Sequence, residues 1–225
     1  MPGPPVPGRG VKALRDRLHR VTGDQDPTPP ALLFALNFVD EFDQALLGVL
    51  SPNIRDTFGV SESTLTSLVA AAAGLVILLI VPVGVLADRH NRVRMAAVAA
   101  FFWAGFTIVT DVSGWTGVLA LLFVGRFFAG LGRVMNEPVH ASLLADYYAP
   151  ASHGRVFSVH RMANPIGLLS ILLGGTLAEV FGWQLSFVLV ALPTFVVVAF
   201  LSRLHEPVRG ASTVSYTHLT LPTKA

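Results

Sequence analysis

The sequence predicts an all-α membrane protein, with six transmembrane helices and both termini on the cytoplasmic side. Three observations predict it. Of 225 residues, 52% are hydrophobic and only 13% charged, about half the charged fraction of a soluble domain. Six mostly apolar stretches each approach the roughly 20 residues needed to cross a bilayer. Arginine and lysine collect in alternate connections, which orients the helices.

The segment Met1–Pro30 is rich in Pro and Gly and lacks the short apolar core of a signal peptide. Residues 1–30 are therefore expected to be a disordered cytoplasmic segment, with the first span retained in the protein. Spans are expected at about 31–51, 65–87, 95–112, 117–145, 157–180 and 184–203, forming one helical unit over 31–205. The leading segment carries Arg9, Lys12, Arg15, Arg17 and Arg20, and the second connection carries Arg89, Arg92 and Arg94. Arg155 falls in the fourth connection, and Arg203 and Arg209 follow the sixth span; only Arg55 falls on the other side. Asn164-Pro165 predicts a bend in the fifth span, because Pro lacks a backbone donor. Residues 206–210 read as the start of a central cytoplasmic loop. Residues 211–225 resemble a translated sequencing adapter, and the natural protein is expected to continue past Gly210.

Several function classes are excluded. The chain has no cysteine, so a disulfide framework, Cys-ligated zinc and a thiol nucleophile are ruled out. The net charge of +2 comes from scattered rather than striped bases, and no nucleic-acid partner is expected. Gly130-Leu-Gly132 lies inside an apolar helix with no preceding strand, so it is not a nucleotide loop. No nucleophile elbow, Walker loop or His-Glu-x-x-His pair occurs. Neither an enzyme site, a metal nor a cofactor is expected. Only two of the sixteen basic residues are Lys, a bias that points to a GC-rich bacterial genome and thus to a bacterial cell membrane.

Two motifs carry a family resemblance. Gly84-x-x-x-Asp88-Arg89-x-x-Arg92 follows the second span, and Arg126-x-x-x-Gly130 lies in the fourth. In this order they resemble motifs A and B of the major facilitator superfamily. Ser142-Leu-Leu-Ala-Asp146-Tyr, Gly182-Trp183-Gln-Leu-Ser-Phe187 and Glu206-Pro-Val-Arg209-Gly resemble its spinster-like branch, while Asp40-Glu-Phe-Asp43 is similar to the aromatic-acid:proton symporters. The resemblance covers about residues 31–210. It implies the N-terminal six-helix bundle of a twelve-helix transporter that works by alternating access, partnered by the bilayer, a solute, a proton and a C-terminal six-helix half. It also implies that Asp88, Arg89 and Arg92 latch the two halves, with Gly84 admitting a close helix. The chain departs at Asn91, where Gly is usual, and at Val93, where a base is usual; Asn tolerates the left-handed backbone that Gly would supply. Arg133 replaces the glutamate that follows Gly-x-Gly in spinster-like chains, so that coupling role does not carry over.

The acids of the first span are costly. A central acid costs about 3 kcal/mol on the insertion scale and an apolar residue returns about 0.5. Asp40, Glu41 and Asp43 thus cost about 9, against about 5 from the eleven large apolar residues between Leu32 and Leu50. They must face inward, pair or become protonated. Asn37, Asp40, Glu41 and Gln44 form one i, i+3, i+4, i+7 stripe, with Asp43 off its edge. The fourth span carries a matching stripe of Arg126, Gly130, Arg133, Glu137 and His140, in which Arg133 and Glu137 are one turn apart. Depth counting at 1.5 Å per residue sets Asp40 or Glu41 opposite Arg126, with Arg133 about 10 Å nearer the cytoplasm.

Two roles fit this cluster: the acids exchange a proton during transport, or the charges only bind one another and hold the bundle. An arginine facing a cavity also suits an anionic solute. The expected function is proton-coupled movement of a small solute, such as an organic anion. The alternatives are export of lipid or drug-like amphiphiles and, in a different class, a transport-inactive receptor or membrane-embedded enzyme. His153 and His160 read as interfacial, and Trp103, Trp115 and Trp183 as anchors at span ends or lipid-facing positions.

Overall fold

A computed structural model describes residue 16 and residues 19–211, apart from the side chains of Ala87 and Glu137. The adapter-like tail beyond Ala211 and most of the leading arginine-rich segment lie outside the described residues. Every regular element described is helical: α1 (Thr28–Val49), α2 (Ser51–Phe58), α3 (Glu62–Ile77), α4 (Ile80–Arg89), α5 (Arg92–Thr116), α6 (Leu119–Tyr147), α7 (Pro150–Arg161), α8 (Ala163–Gly167) and α9 (Ser170–Leu201).

Among the described residues, α5, α6 and α9 are long and apolar enough to cross a membrane, and α2 with α3 qualifies only as a pair bent by 107°. Of the other expected spans, the first is the unbroken helix α1, set apart by three acids within four residues, which are expensive facing lipid, and the second and fifth are interrupted. The second breaks at Leu78–Leu79 into α3 and α4. The fifth breaks at Met162, just before Asn164-Pro165, and again at Leu168–Leu169. Its remainder runs into the sixth as α9, where Gly182 leaves the helical region at φ 78° and ψ 154°. That positive φ suits glycine, which lacks the Cβ that would clash.

Local signals explain the element ends. Ser61 caps α3 by accepting from Thr64 N at 3.1 Å, and Asn91 caps α5 by accepting from Arg94 N at 2.7 Å. Asn91 is extended, with φ −63°, so the left-handed turn expected there does not form. A capping side chain performs the task instead.

Helices α5 and α6 make the tightest pair. The buried face of α5 includes Ala96, Ala99, Ala100 and Ala104, small residues that let backbones approach, together with Trp103. Across from it, a Cβ on Gly132 would lie 2.6 Å from Ala99 O and 2.8 Å from Trp103 Cβ, and one on Gly125 would lie 2.7 Å from Thr110 N. Two apolar clusters form the core. One gathers Leu33 and Leu36 of α1 with Val93, Val139, Leu143, Val156 and Leu201. The other gathers Val39, Phe42, Leu46 and Leu50 with Ile54, Trp103, Leu122, Trp183 and Phe187. Trp103 is fully buried and Trp183 is 5% exposed, so these two are core residues rather than anchors. Trp183 donates to Thr57 Oγ1 at 2.9 Å and packs on Phe58 and Phe187. Trp115 is exposed.

The arginine-rich ends are tied together by side chains. Arg92, 3% exposed, pairs with Asp146 at 2.6 Å and Glu206 at 2.7 Å, and donates to Ser142 Oγ and Pro207 O. Glu206 also accepts from Val93 N at 3.0 Å, at the start of α5, and Gly210 N donates to Asp146 at 3.1 Å. Residues 19–30, expected to be disordered, are partly packed here. Thr22 is buried, Gln25 accepts from Ala149 N, and Tyr148 donates to Asp26 O at 2.5 Å. Burial, and then the charge of Asp26, push the Tyr148 hydroxyl pKa up, which keeps it a donor.

Replacing Gly132 by Val is expected to cost about 1–3 kcal/mol by overpacking the α5–α6 contact. Gly105→Ala, where a Cβ meets nothing within 4 Å, serves as the neutral control in thermal unfolding in detergent. Arg92→Ala is expected to cost about 1–3 kcal/mol in the same assay, because it leaves two half-buried acids without their donor. Arg92→Lys should recover only part of that, lacking the planar fork that reaches several acceptors at once.

Candidate functional site: a charged cluster between α1 and α6

The expected polar stripe of α1 is present but divided between two neighbours. Asp40 and Asp43, three residues apart, face α6. Asn37 and Glu41, four apart, face α7 and α8. Asp43 is fully buried, Asp40 is 4% exposed and Arg126 is 7% exposed. Arg126 grips Asp43 with both terminal nitrogens, at 3.2 and 3.0 Å. Arg133 donates from Nε to Asp40 at 2.5 Å and from its terminal nitrogen to Asp43 at 3.1 Å. The two carboxylates and two guanidinium groups make a closed, charge-balanced quartet, and Arg126 also lies 5.7 Å from the Phe187 ring centre.

This pairing differs from the expected one. Asp43, set off the stripe edge, is the partner of Arg126, and Arg133 takes Asp40. The reason is length. The arginine positions are seven residues apart, about 10 Å, and the aspartates three apart, about 4.5 Å. A long Arg133 side chain closes the difference, which counting along Cα atoms leaves out. Arg133 reaches across to α1; the Glu137 side chain lies outside the described residues.

Glu41 sits apart from the quartet. Its Oε1 accepts from Asn164 Nδ2 of α8 at 2.8 Å. Asn37 in turn donates to Asn164 Oδ1 at 3.3 Å and to His160 O at 3.2 Å. His160 is buried at 3% exposure rather than interfacial, and its ring stands edge-on to buried His140, centres 5.4 Å apart. His153 binds main-chain carbonyls at the α6–α7 turn.

A cavity of about 310 Å³ opens beside the quartet, with Gln44, Arg126 and Arg133 on one wall and Leu47, Val69, Ala72, Ala73, Val76 and Ile77 on the other. Gly130 forms part of its lining, and a Cβ there would lie 2.9 Å from Val76. That glycine therefore lets α3 close over the arginines. The arrangement can hold an anionic or hydrogen-bonding head against the guanidinium edge and an apolar body against α3.

The charged residues at the end of α4 and the start of α5 divide differently from expectation. Arg92 turns into the Asp146–Glu206 clasp, while Asp88 and Arg89 are exposed. Arg209 donates to Asp88 O and His90 O, both at 2.5 Å. Nothing described lies within 4 Å of a Cβ built on Gly84. Sequence reasoning missed Asp146 and Glu206 as partners of Arg92 and Asn164 as a member of the buried polar system, whereas His140 lies on the expected stripe of the fourth span and is buried. The only signals were a polar residue every third or fourth position of α6 and the Asn-Pro pair itself.

Comparison with known proteins agrees with this architecture. Relatives include a probable galactarate/D-glucarate transporter GudP of Bacillus subtilis (strain 168), 23% identical over 78% of this chain and 40% of that protein. Protein spinster homolog 1 of Xenopus laevis is 25% identical over 80% of this chain and 35% of that protein. The 4-hydroxybenzoate transporter PcaK of Acinetobacter baylyi is 30% identical over 69% and 34%. The chain thus spans well under half the length of these relatives. The crystal structure of a bacterial homolog to the human lysosomal transporter Spinster, inward-facing and unoccupied, superposes with a TM-score of 0.74 at 23% identity, covering 83% of this chain and 45% of that one. The same fold, inward-facing and occupied, gives 0.72 over 93% and 47%. The sequence profile of the Major Facilitator Superfamily matches residues 33–219, and the chain belongs to that family of membrane transporters.

Proposed function

We propose that this chain is the N-terminal half of a proton-coupled secondary transporter of a small organic anion, working by alternating access. The observation that carries the reading is the buried quartet beside an open cavity with two arginines on its wall. Buried charge of this kind is expensive in a membrane and is a functional-site hypothesis by default. The guanidinium groups are already balanced by Asp40 and Asp43. An incoming carboxylate therefore competes with those acids, and a proton taken up by the cluster favours its entry.

The finer architecture belongs to the same proposal. Six spans result if α3 with α4 is one span, and if α7, α8 and the first part of α9 are another, with the turn at Gly182 separating the sixth. Both ends then lie on the arginine-rich, cytoplasmic side of a bacterial cell membrane. Exposed Leu75, Ile77, Leu78, Ile80 and Val81 on one flank, and Met162, Leu168, Ile171 and Leu172 on the other, are the faces offered to a second six-helix bundle. The open space at Gly84 and exposed Asp88 and Arg89 suit a latch contributed from that bundle. A site near the midplane, between two such halves, is the general plan of rocking transporters.

Relatives named for galactarate/D-glucarate and for 4-hydroxybenzoate suggest the probes. The full-length transporter in proteoliposomes is expected to accumulate radiolabelled D-glucarate or 4-hydroxybenzoate under an inward proton gradient, and to lose accumulation when a protonophore is added. Arg126→Gln is expected to insert normally and to transport no more than empty liposomes. Accumulation indifferent to the protonophore would remove proton coupling. Full transport by Arg126→Gln would remove this site.

A further inference from the structure

The outward face of α5 carries charge at one end and apolar surface along the rest. Arg94, Met95, Val98, Phe101 and Phe102 recur at i, i+1, i+4, i+7 and i+8, one stripe of a helix with 3.6 residues per turn. Arg94 is exposed and Met95 half-buried, while Val98, Phe101 and Phe102 are each 53% exposed. The opposite face, with Ala96, Ala99, Ala100 and Trp103, is buried. From Arg94 to Phe102 the stripe runs about 12 Å, close to the roughly 15 Å of hydrocarbon in one leaflet.

A cavity of about 360 Å³ sits at the charged end of this stripe, between the end of α4, the start of α5 and α6. Arg94, His90 and Asn91 form its polar rim, and no acid lines it. Arg94 pairs with no acid among the described residues; Asp146 and Glu206, the acids of this end, are held by Arg92. His90 Nδ1 donates to Leu86 O at 3.0 Å, which fixes the ring at the rim. Asn91 gives its Oδ1 to Arg94 N, so its amide N–H groups remain to donate. Exposed Arg89 adds a second positive charge beside the rim. Leu86 of α4, Met95 and Val98 of α5 and Met135 of α6 supply the apolar floor.

The position decides among occupants. Leu86 lies two residues from both Gly84 and Asp88, about 200° around the helix, so the cavity opens away from the side of α4 that suits the second bundle. A soluble anion would meet the rim and leave the apolar stripe uncovered. A molecule with a phosphate at one end and an acyl chain along α5 satisfies both, and basic pockets between helices hold acidic headgroups in this way at the cytoplasmic surface. Resting on the orientation proposed above, we propose that the groove between α4, α5 and α6 binds an anionic phospholipid, with its phosphate at Arg94 and an acyl chain along Val98, Phe101 and Phe102. Helix α4 has only ten residues and starts at the break at Leu78–Leu79, so a lipid that bridges it to α5 and α6 steadies it.

Native mass spectrometry of the full-length transporter, loaded with phosphatidylglycerol or with phosphatidylcholine of the same acyl chains, tests this. The wild type is expected to retain phosphatidylglycerol at collision energies that strip phosphatidylcholine. Arg94→Gln is expected to weaken that retention about fivefold or more, the effect of one basic side chain at an acidic membrane surface. Val98→Trp fills the groove without changing its charge and is expected to weaken retention as well. Arg203→Gln changes an exposed base that stacks on Phe200 outside the groove and is expected to leave retention as it was. Thermal midpoints in detergent show which variants fold, and the comparison of the two lipids on the wild type stands whatever the variants do. Equal retention of the two lipids overturns the proposal, and so does full retention by folded Val98→Trp. Equal losses in Arg94→Gln and Arg203→Gln would mean diffuse attraction to the basic end, and would overturn it too. Inorganic phosphate that displaces phosphatidylglycerol, or raises the midpoint as much, would make the groove a soluble-anion site instead. None of these readouts uses flux, so their failure leaves the transport reading standing, and a failure of transport leaves this one.

Discussion

The fold depends on neutralising charge where water is scarce. Asp43 is fully buried, and it is tolerable there because Arg126 meets both its oxygens while Arg133 meets one of them and Asp40 as well. A carboxylate buried alone would cost several kcal/mol. With four charged groups closing on one another, α1 and α6 become a single unit despite carrying the most polar sequence in the apolar part of the chain. The pairing fixes the register of the two helices, because a slip by one turn would separate each acid from its base.

Around that unit the rest of the bundle is arranged by size. Alanines on α5 and glycines on α6 bring those two helices into close contact, and the bulky residues Trp103, Trp183 and Phe187 fill the space where the helices diverge. At the arginine-rich end a second charged group, Arg92 with Asp146 and Glu206, ties the segment leaving α9 to the start of α5 and the end of α6. The two charged centres differ in kind. The Arg92 clasp is made at helix ends and holds connections in place. The α1–α6 quartet is made in mid-helix beside a cavity.

Much of this was legible in the residues. Charge poverty and arginine placement announce a membrane protein, and the price of three acids in one helix requires that they turn inward, as they do. The two motifs of the second connection and the fourth helix point to the superfamily that the profile match and the solved structures support. Helix continuity was less legible, because hydropathy does not register the interruptions at Leu78–Leu79 and Met162, whereas the break at Gly182 falls between the expected fifth and sixth spans. The first two are backbone events inside apolar sequence. The partner of each charge was hidden too. Periodicity assigns faces but not reach, so the long Arg133 side chain and the off-stripe Asp43 were placed wrongly relative to one another. Asn164 illustrates the remainder: its sequence signal is a helix bend, and only packing reveals that the bend delivers an amide to Glu41.

A double-mutant cycle on Asp43 and Arg126, read by reversible unfolding in detergent, tests the central interaction most directly. Asp43→Asn and Arg126→Gln are each expected to cost about 3–5 kcal/mol, since each leaves a buried charge without its partner. The double variant is expected to cost less than the sum of the two by at least about 1 kcal/mol, a coupling typical of residues in one network. Costs that simply add would mean that the two groups do not depend on each other, and the quartet would not be what holds α1 to α6.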